Sequence, residues 1–449
     1  MILAADVLDL LDATITNVAA PTITRDIGGG ESLVQWLGAS YALALGALLV
    51  TGGRLGDKYG RRRLFLLGLA GFVTASLACG LAGHPTLLVL ARLAQGACAA
   101  LVIPQGFGIL AATWPRERLG QAFSLFGPVM GLSAVGGPIL AGFLIDADLA
   151  GLGWRPLFLI NLVLGGAALP AAYRLLPRDP GSPGTVVDAP GSALLSAALL
   201  ALLGGLIDGS AHGWTARPLT LLLLGLALAA AFCHRQRTAA HPLIQPSLLR
   251  NRGFTSGLVL GIVVFATTAG LLYVLSLFLQ HGLHRSPTGT ALALVPLTAG
   301  IVVASLACHG LIHTHGRRLV LAGLLVILAG CAHLGLLVAH SGTDTGAWAL
   351  VPPLFVIGLG MGTGFGTIYD VTIGDIAPEE AGSASGSLNA VQQLANAVGA
   401  AAVTTVYFRT TGGEVRALTV SLTVVAIATL LCLPLARLLP RKAPEQHGH

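Results

Sequence analysis

Long apolar runs of membrane length recur along the whole chain, separated by short polar or basic segments. The chain is 54% hydrophobic and only 10% charged, with a mean hydropathy of +0.81, whereas soluble domains average about 25% charged residues. A water-soluble core cannot accommodate this much apolar sequence, so the solvent around the chain must be lipid. The sequence therefore predicts an all-α polytopic membrane protein.

Fourteen runs are long enough to cross a bilayer, since a helical crossing needs about 20 apolar residues. They form six spans, two inserted central spans that are the most uniformly apolar, and six more. The division predicts an N-terminal six-helix bundle at 1–176, a linker with two additional helices at 177–252, a C-terminal six-helix bundle at 253–437 and a tail at 438–449. The predicted spans are 2–24, 33–53, 64–82, 86–112, 119–145, 157–176, 190–208, 217–234, 254–279, 289–312, 318–340, 346–370, 384–408 and 416–437.

Lysine and arginine are distributed unevenly between alternate loops. With the N-terminus placed inside, 18 of the 25 lie in inner loops and six in outer loops, while Arg92 lies within a span. Because cytoplasmic loops of membrane proteins carry an excess of these residues, both termini are predicted to be cytoplasmic. The net charge of +6 thus reflects membrane orientation, and no nucleic-acid partner is predicted.

The sequence has no pattern typical of a metal, cofactor or catalytic site. Its six cysteines lie in or beside apolar runs without CxxC spacing, which predicts packing residues. No nucleophile–base pair is apparent, so neither an enzyme nor a bound cofactor is predicted. The first run begins at Met1 without a basic segment and contains acidic residues, which predicts a retained helix rather than a cleaved signal peptide.

Helix one carries an acidic stripe. Asp6, Asp9 and Asp12 are three residues apart, and Thr16 falls on the same face. Asp12 is near the expected midplane of the bilayer, where removal from water disfavours the charged carboxylate. We therefore predict that Asp12 loads and releases protons near neutral pH, with packing against neighbouring hydroxyl groups as the alternative. Asp9 is a further candidate nearer the inner surface, where simple solvation is the alternative.

The loop at 53–63 reads Gly-Arg-Leu-Gly-Asp-Lys-Tyr-Gly-Arg-Arg-Arg between two apolar runs. It resembles the loop joining the second and third helices in the major facilitator superfamily of secondary transporters. The resemblance implies that Asp57 accepts hydrogen bonds from a helix N-terminus of the other half, closing an inner gate. A loop that only sets topology is the alternative. The gating residues predicted here are Gly53, Arg54, Gly56, Asp57, Gly60, Arg61 and Arg62.

Further motifs resemble the fourteen-helix drug–proton antiporters of that superfamily, and the likeness covers nearly the whole chain. They include the helix-one sequence at 11–23, an arginine followed by Gln-Gly on helix four, and the small-residue run at 131–142 on helix five. In the last, Gly137, Pro138 and Gly142 match, while Ala141 stands where the motif has glycine. This family usually has a short cytoplasmic tail before helix one, so the resemblance allows a start upstream of Met1.

The resemblance also implies roles for polar residues facing a central cavity. Arg92 needs a partner or a wet cavity within lipid, and it is predicted to sense the protonation of Asp12; an arginine with only structural hydrogen bonds is the alternative. Asp370 is a possible second cation or proton site. Four amides on helix thirteen form one polar patch suited to an amphipathic pocket, with interhelical hydrogen bonding as the alternative. The predicted cavity residues are Thr16, Asn17, Tyr41, Gln95, Asn161, Asn389, Gln392, Gln393 and Asn396.

These expectations combine into proton-driven export of a hydrophobic or amphipathic drug or antibiotic by alternating access. The expected partners are the small-molecule substrate, protons and the lipid bilayer, and the protein is expected to work as a monomer in the cell membrane, driven by the proton gradient alone. Two alternatives stay open at this stage. They are a proton symporter that imports a small metabolite, and a membrane sensor or scaffold that transports nothing.

Overall fold

A computed structural model describes residues 2–113, 133, 136–137, 140–145, 147–182, 188–240, 242–308, 311–373, 376 and 380–439. Within these ranges all regular structure is helical, and no strand occurs. The fold class predicted from composition, all-α, is thus observed for the described part of the chain. Much of the predicted span at 119–145 lies outside it.

The helices follow one another with short connections. Seven precede the middle of the chain: α1 (Ile2–Ile27), α2 (Gly30–Tyr59), α3 (Arg61–Gly80), α4 (Pro85–Thr113), α5 (Pro156–Leu175), α6 (Ala189–His212) and α7 (Ala216–Thr238). Eight follow: α8 (Pro246–Arg250), α9 (Arg252–Leu277), α10 (Pro287–Ala293), α11 (Val295–Cys308), α12 (Ile312–Ser341), α13 (Ala347–Ile373), α14 (Ala381–Arg409) and α15 (Glu414–Leu435).

Nine helices among the described residues are long and apolar enough to cross a membrane. This supports a multi-pass membrane protein. The count of fourteen spans and the cytoplasmic location of both termini stay predictions. The predicted span at 289–312 corresponds to two consecutive helices, α10 and α11, which meet at Leu294.

The chain forms two compact units. Unit 1 comprises residues 1–114, 136–246 and 377–394, and unit 2 comprises residues 115–135, 247–376 and 395–449. The inserted helices α6 and α7 belong to unit 1, where the hydroxyl of Ser196 on α6 donates a hydrogen bond to the Ala47 carbonyl of α2 at 2.7 Å. Leu199, Phe232 and Val50 continue this contact as a hydrophobic cluster.

Helices α2 and α4 approach each other at backbone distance. A Cβ atom at Gly52 would lie 2.1 Å from the Ala100 carbonyl oxygen, and one at Gly96 would lie 2.3 Å from the Tyr41 carbonyl oxygen. Only glycine fits such contacts, because any side chain would force the helices apart. Because the two helices are this close, polar residues of α4 contact the backbone and aromatic side chains of α2.

Unit 2 has a separate hydrophobic core. Its fully buried members include Phe278, Leu334, Ile357 and Leu418, drawn from the segment after α9 and from α12, α13 and α15. A small cavity of about 10 Å³ is bordered by Val264, Leu324, Met361 and other mainly apolar groups. Among the described side chains, the dense polar cluster lies in unit 1 rather than here.

Candidate proton-coupling site

A buried ion pair lies at the centre of unit 1. Arg92 Nη1 on α4 donates to Asp12 Oδ2 on α1, and both side chains are only 1% exposed. Gln95 Nε2 donates to Asp12 Oδ1 at 2.9 Å, and Asn161 Nδ2 on α5 donates to the same oxygen at 2.7 Å. Asp12 therefore receives one charged and two neutral donors from two other helices.

Arg92 is held by more than its carboxylate partner. Its Nη1 also donates to Gln95 Oε1 at 2.7 Å, and its Nε donates to the Leu37 carbonyl of α2 at 3.3 Å. The guanidinium lies 4.5 Å from the ring centroid of Tyr41 and 5.8 Å from that of Phe158. Aromatic faces attract a cation when water is excluded, so the position of Arg92 is set from three helices.

Ser76 on α3 completes the cluster and was missed by the sequence reasoning. Its Oγ accepts hydrogen bonds from Gln95 Nε2 at 2.8 Å and Asn161 Nδ2 at 3.3 Å, and it donates to the Phe72 carbonyl at 2.9 Å. It thereby fixes both amides that bind Asp12. A lone serine in an apolar helix gives no signal, because such residues usually bond within their own helix.

A second carboxylate, Asp9, lies one turn before Asp12 on α1 and is half-buried. The hydroxyl of Tyr41 donates a hydrogen bond to its Oδ1. The same tyrosine ring covers Arg92, so Tyr41 links the two carboxylate regions. Asp9 also borders a small cavity of about 10 Å³, whose other lining residues, such as Phe72 and Val102, are apolar.

Two residues predicted to line a substrate cavity, Gln95 and Asn161, instead lie on Asp12 and are fully buried. Thr16 is also buried, and its hydroxyl donates to the Asp12 backbone carbonyl at 2.7 Å. Tyr41 is 3% exposed. The structure thus brings five predicted residues into one cluster with Arg92: Asp9, Asp12, Thr16, Gln95 and Asn161. Tyr41 contacts both Asp9 and Arg92.

Other predicted residues are placed elsewhere. On α14, Asn389 Nδ2 donates to the Ser385 carbonyl of its own helix at 3.0 Å, and Gln392, Gln393 and Asn396 are half-buried. In the predicted span at 119–145, Gly137 and Gly142 are buried. Pro138 and the side chains of Asn17 and Asp370 lie outside the part that the structure describes.

The segment at 53–63, predicted as a loop, is mostly helical: α2 continues to Tyr59, α3 begins at Arg61, and Gly60 forms the tight turn between them. Gly60 has a φ of 94°, and a Cβ atom there would lie 2.3 Å from the Asp179 carbonyl oxygen. Arg61 donates to Asp57 Oδ1 and to the Gly108 carbonyl of α4, each at 3.0 Å. Arg62 donates to the Tyr173 carbonyl of α5 and lies 5.0 Å from its ring centroid. The turn is thus tied to both neighbouring helices.

Of the other residues of this segment, Tyr59 and Arg63 are exposed and the rest are buried or half-buried. Gly53 and Arg54 are buried, and Arg54 Nε has no hydrogen-bond partner among the described residues. Asp57 Oδ2 likewise has none there. Gly56 faces Gln105, whose Nε2 donates to the Gly52 carbonyl at 2.7 Å. Whether Asp57 accepts from a helix of the other half stays a prediction.

The start of the linker lies on this turn, although its Pro/Gly-rich composition predicts a flexible segment. Asp179 Oδ2 accepts from the Arg61 backbone N–H at 3.1 Å, and the Ser182 N–H donates to the Asp57 carbonyl at 2.9 Å. Asp179 therefore caps the N-terminus of α3, where a negative charge is favourable. Residues 177–182 hold the loop in place.

Two ion pairs stabilise the ends of helices in unit 1. Asp26 accepts from Trp154 Nε1 at 2.9 Å and Arg155 Nη1 at 3.0 Å, and these hydrogen bonds hold the pKa of Asp26 below its usual range. Asp188 caps α6 and accepts from Arg235 Nε and Nη2 of α7 at 2.9 and 2.6 Å. Partial burial raises the pKa of Asp188, but the hydrogen bonds from Arg235 and Gly191 outweigh it and lower the pKa overall.

Known proteins are similar to this chain over most of its length. Residues 2–400 match the family model of the Major Facilitator Superfamily. The chain is 41% identical over 422 residues to the probable actinorhodin transporter of Streptomyces coelicolor, covering 93% of this chain and 73% of that protein. It is 37% identical over 415 residues to the puromycin resistance protein pur8 of Streptomyces alboniger, covering 90% and 80%.

A solved structure is similar over nearly its full length. The human organic anion transporter TETRAN superposes with a TM-score of 0.68, covering 97% of each chain at 16% identity. At that identity the similarity concerns the fold alone. Together, the family match and the relatives place the buried cluster within a membrane transporter fold.

Proposed function

The chain belongs to the major facilitator superfamily and is a multi-pass membrane transporter rather than an enzyme, and we propose that it exports antibiotics or similar drugs in exchange for protons. The substrate class rests on the relatives, one named as a transporter of actinorhodin and another as a puromycin resistance protein. The proposed location is the cell membrane, with both termini in the cytoplasm, fourteen spans and a functional monomer.

The observation that carries this proposal is the buried Asp12–Arg92 pair with its amide donors. Ionisable residues within membrane spans are rare, and they commonly mark ion or proton pathways. A carboxylate that is both buried and paired with an arginine has two alternative states. It is ionised while Arg92 binds it, and it becomes neutral by taking a proton when that contact is broken.

The change between the ionised and neutral states of Asp12 couples proton movement to the position of Arg92. A proton arriving from outside neutralises Asp12 and releases Arg92, and the freed guanidinium must then find new partners or water because an unpaired buried charge is costly. Release of the proton inside restores the pair. Each proton that enters down a potential of 100 mV supplies about 2.3 kcal/mol, so one or two protons suffice for a modest substrate gradient. No cofactor is needed.

The inner loop supplies the proposed gate. Asp57, Arg61 and Gly60 form a rigid turn fixed by Asp179, while Asp57 Oδ2 and Arg54 Nε have no partner among the described residues. Buried polar atoms without partners are costly, so these groups favour a second state of the loop in which they are bonded. Gly137, Pro138 and Gly142, in the predicted span at 119–145, are further proposed gating residues, because small residues permit close sliding contacts between helices.

The proposal is tested in everted membrane vesicles with an acidic interior. A panel of lipophilic cations and neutral antibiotics is added while a pH-sensitive dye records collapse of the gradient, for the native protein and for Asp12→Asn. Proton release on addition of a compound, absent in the variant, is the expected result. Release that survives in Asp12→Asn would contradict the role of Asp12, and uptake of protons together with the compound would indicate a symporter instead.

A further inference from the structure

The charges of the buried cluster do not balance if both carboxylates are ionised. Arg92 is the cation that contacts it, and among the described residues its ion pair is with Asp12. Asp9 has no ion pair there, and its hydrogen bond comes from the neutral hydroxyl of Tyr41. Two carboxylates and one guanidinium would leave a net negative charge in a lipid-embedded unit. A group in that position normally takes a proton rather than stay charged.

Described groups of α1, α2, α3 and α4 surround Asp9. On α1, Asp12 lies three residues after Asp9, while Asp6 lies three residues before it with a side chain outside the described part. Helix α4 contributes Arg92, and the charges of Asp12 and Arg92 act on Asp9. Helix α2 contributes Tyr41. The residues of α3 and α4 that line the adjoining cavity are apolar, including Leu69, Phe72 and Val102. No second cation faces Asp9 among the described side chains.

We propose that the proton-binding unit is the pair Asp9 and Asp12 acting together, with a single proton held on Asp9 while Arg92 binds Asp12. This inference rests on the proposed function and extends it. The proton is held on Asp9, whereas Arg92 responds to protonation through its contact with Asp12. Tyr41 joins the two sites, since its hydroxyl binds Asp9 and its ring covers Arg92. Loss of the Arg92–Asp12 contact creates a second neutral carboxyl, so the unit binds one or two protons according to the position of Arg92.

Asp9 is less enclosed than Asp12. Asp9 is half-buried and borders a small cavity between α1, α3 and α4, whereas Asp12 is 1% exposed and enclosed by Arg92, Gln95 and Asn161. A proton reaches a partly exposed carboxyl more readily than an enclosed one. Asp9 is therefore the group that exchanges its proton first, and Tyr41 transmits the change to Arg92.

Infrared spectroscopy of the purified full-length protein tests the inference without any transport measurement. A protonated carboxyl has a C=O stretching band that an ionised one lacks. The native protein at neutral pH is expected to show this band for one buried carboxyl. Asp9→Asn removes it, because the remaining Asp12 stays ionised beside Arg92. Tyr41→Phe keeps the band but moves it to higher frequency, since the carbonyl oxygen loses its hydrogen bond.

Matched variants give the controls. Tyr407→Phe removes a tyrosine hydroxyl that donates to Glu414 in unit 2, and it should leave the frequency of the Asp9 band unchanged. Arg92→Lys retains the positive charge and should retain a single band, whereas Arg92→Gln removes the charge and should double its intensity. If Arg92→Gln does not fold, the Asp9→Asn and Tyr41→Phe spectra decide the question.

Two results would overturn the inference: no buried protonated carboxyl in the native protein, or a band that is unchanged in Asp9→Asn. Neither depends on the proposed export activity, because the band reports protonation whether or not a substrate moves. Conversely, failure of the vesicle experiment with a normal infrared result would reject drug–proton exchange and leave the paired proton site intact.

Discussion

Arg92 gains its specificity from directed contacts as well as from its charge. Its Nη1 meets Asp12 and Gln95, while its Nε meets the Leu37 carbonyl. A lysine carries the same charge but only one nitrogen, so it cannot hold this fork of contacts. Replacing Arg92 by lysine keeps the positive charge but not the geometry of the contacts, and it therefore separates the contribution of charge from that of geometry.

We expect Arg92→Lys to fold and to reduce substrate-dependent proton release by roughly 10- to 100-fold, since a hydrogen bond to a charged group is worth about 1.5–3 kcal/mol. The assay is dye dequenching in everted vesicles at matched protein content. Arg285→Lys, at a position outside the buried cluster, serves as the control. Native-like coupling in Arg92→Lys would mean that charge alone is sufficient.

A second prediction for a single residue concerns Ser76 and the two amides that it holds. Ser76→Ala removes an acceptor shared by Gln95 and Asn161, and about 1 kcal/mol of stability should be lost with it. Thr74→Ala on the same helix is the matched control, because the exposed Thr74 hydroxyl only donates to the Ala70 carbonyl at 2.8 Å. The melting temperature in detergent should fall more for Ser76→Ala. Equal shifts would contradict a role for Ser76 in holding the amides.

At the scale of elements, the turn between α2 and α3 depends on one glycine. Gly60→Ala places a Cβ atom at a positive φ and against the Asp179 carbonyl. Strained backbone of this kind costs about 1–3 kcal/mol, and the contact adds to it. We expect a clear fall in melting temperature, compared with little change for Gly83→Ala, where no atom lies within 4 Å of the added group. A melting temperature equal to that of Gly83→Ala would refute the assigned contact.

The two inserted helices are joined by the Asp188–Arg235 ion pair. Because the pKa of Asp188 is lowered in the folded protein, its stabilising effect is present above its unfolded value of about 3.9 and disappears as the pH falls through the lowered value. Asp188→Asn should therefore reduce the melting temperature at pH 7, and this deficit should shrink in strong acid. Asp344→Asn, at an exposed position, is the control. A deficit independent of pH would contradict the assignment.

The elements also show what sequence can and cannot predict. Membrane-length helices are predictable because lipid demands long apolar helices, and α3 and α4 follow the predicted spans at 64–82 and 86–112 closely, whereas α2 continues to Tyr59, beyond the predicted end at 53. The contact between Asp12 and Arg92 could be anticipated because both charges are rare within spans. Ser76 and Asp179 could not, since their partners depend on how closely helices approach. The contact of Gly52 with the Ala100 carbonyl sets one such distance, and apolar periodicity alone does not encode it.

At the scale of the whole molecule, membership of the major facilitator superfamily is established over residues 2–400, and the transport mechanism is a proposal built on unit 1. Unit 1 contains both the buried charges and the turn between α2 and α3, and α4 contacts both, through Arg92 and through the Gly108 carbonyl. Because one helix contacts both, movement of Arg92 and movement of the turn are expected to be coupled, with Pro104 of α4 between them as the point where the helix can bend.

The most direct test of the central claim uses liposomes containing only the purified protein, with a substrate identified in the vesicle screen. Two processes are compared in the native protein and Asp12→Asn: accumulation of the substrate driven by an imposed pH gradient, and exchange of labelled for unlabelled substrate without a gradient. The account predicts that the native protein performs both, whereas Asp12→Asn retains exchange and loses accumulation. Accumulation by Asp12→Asn at the native level would contradict it.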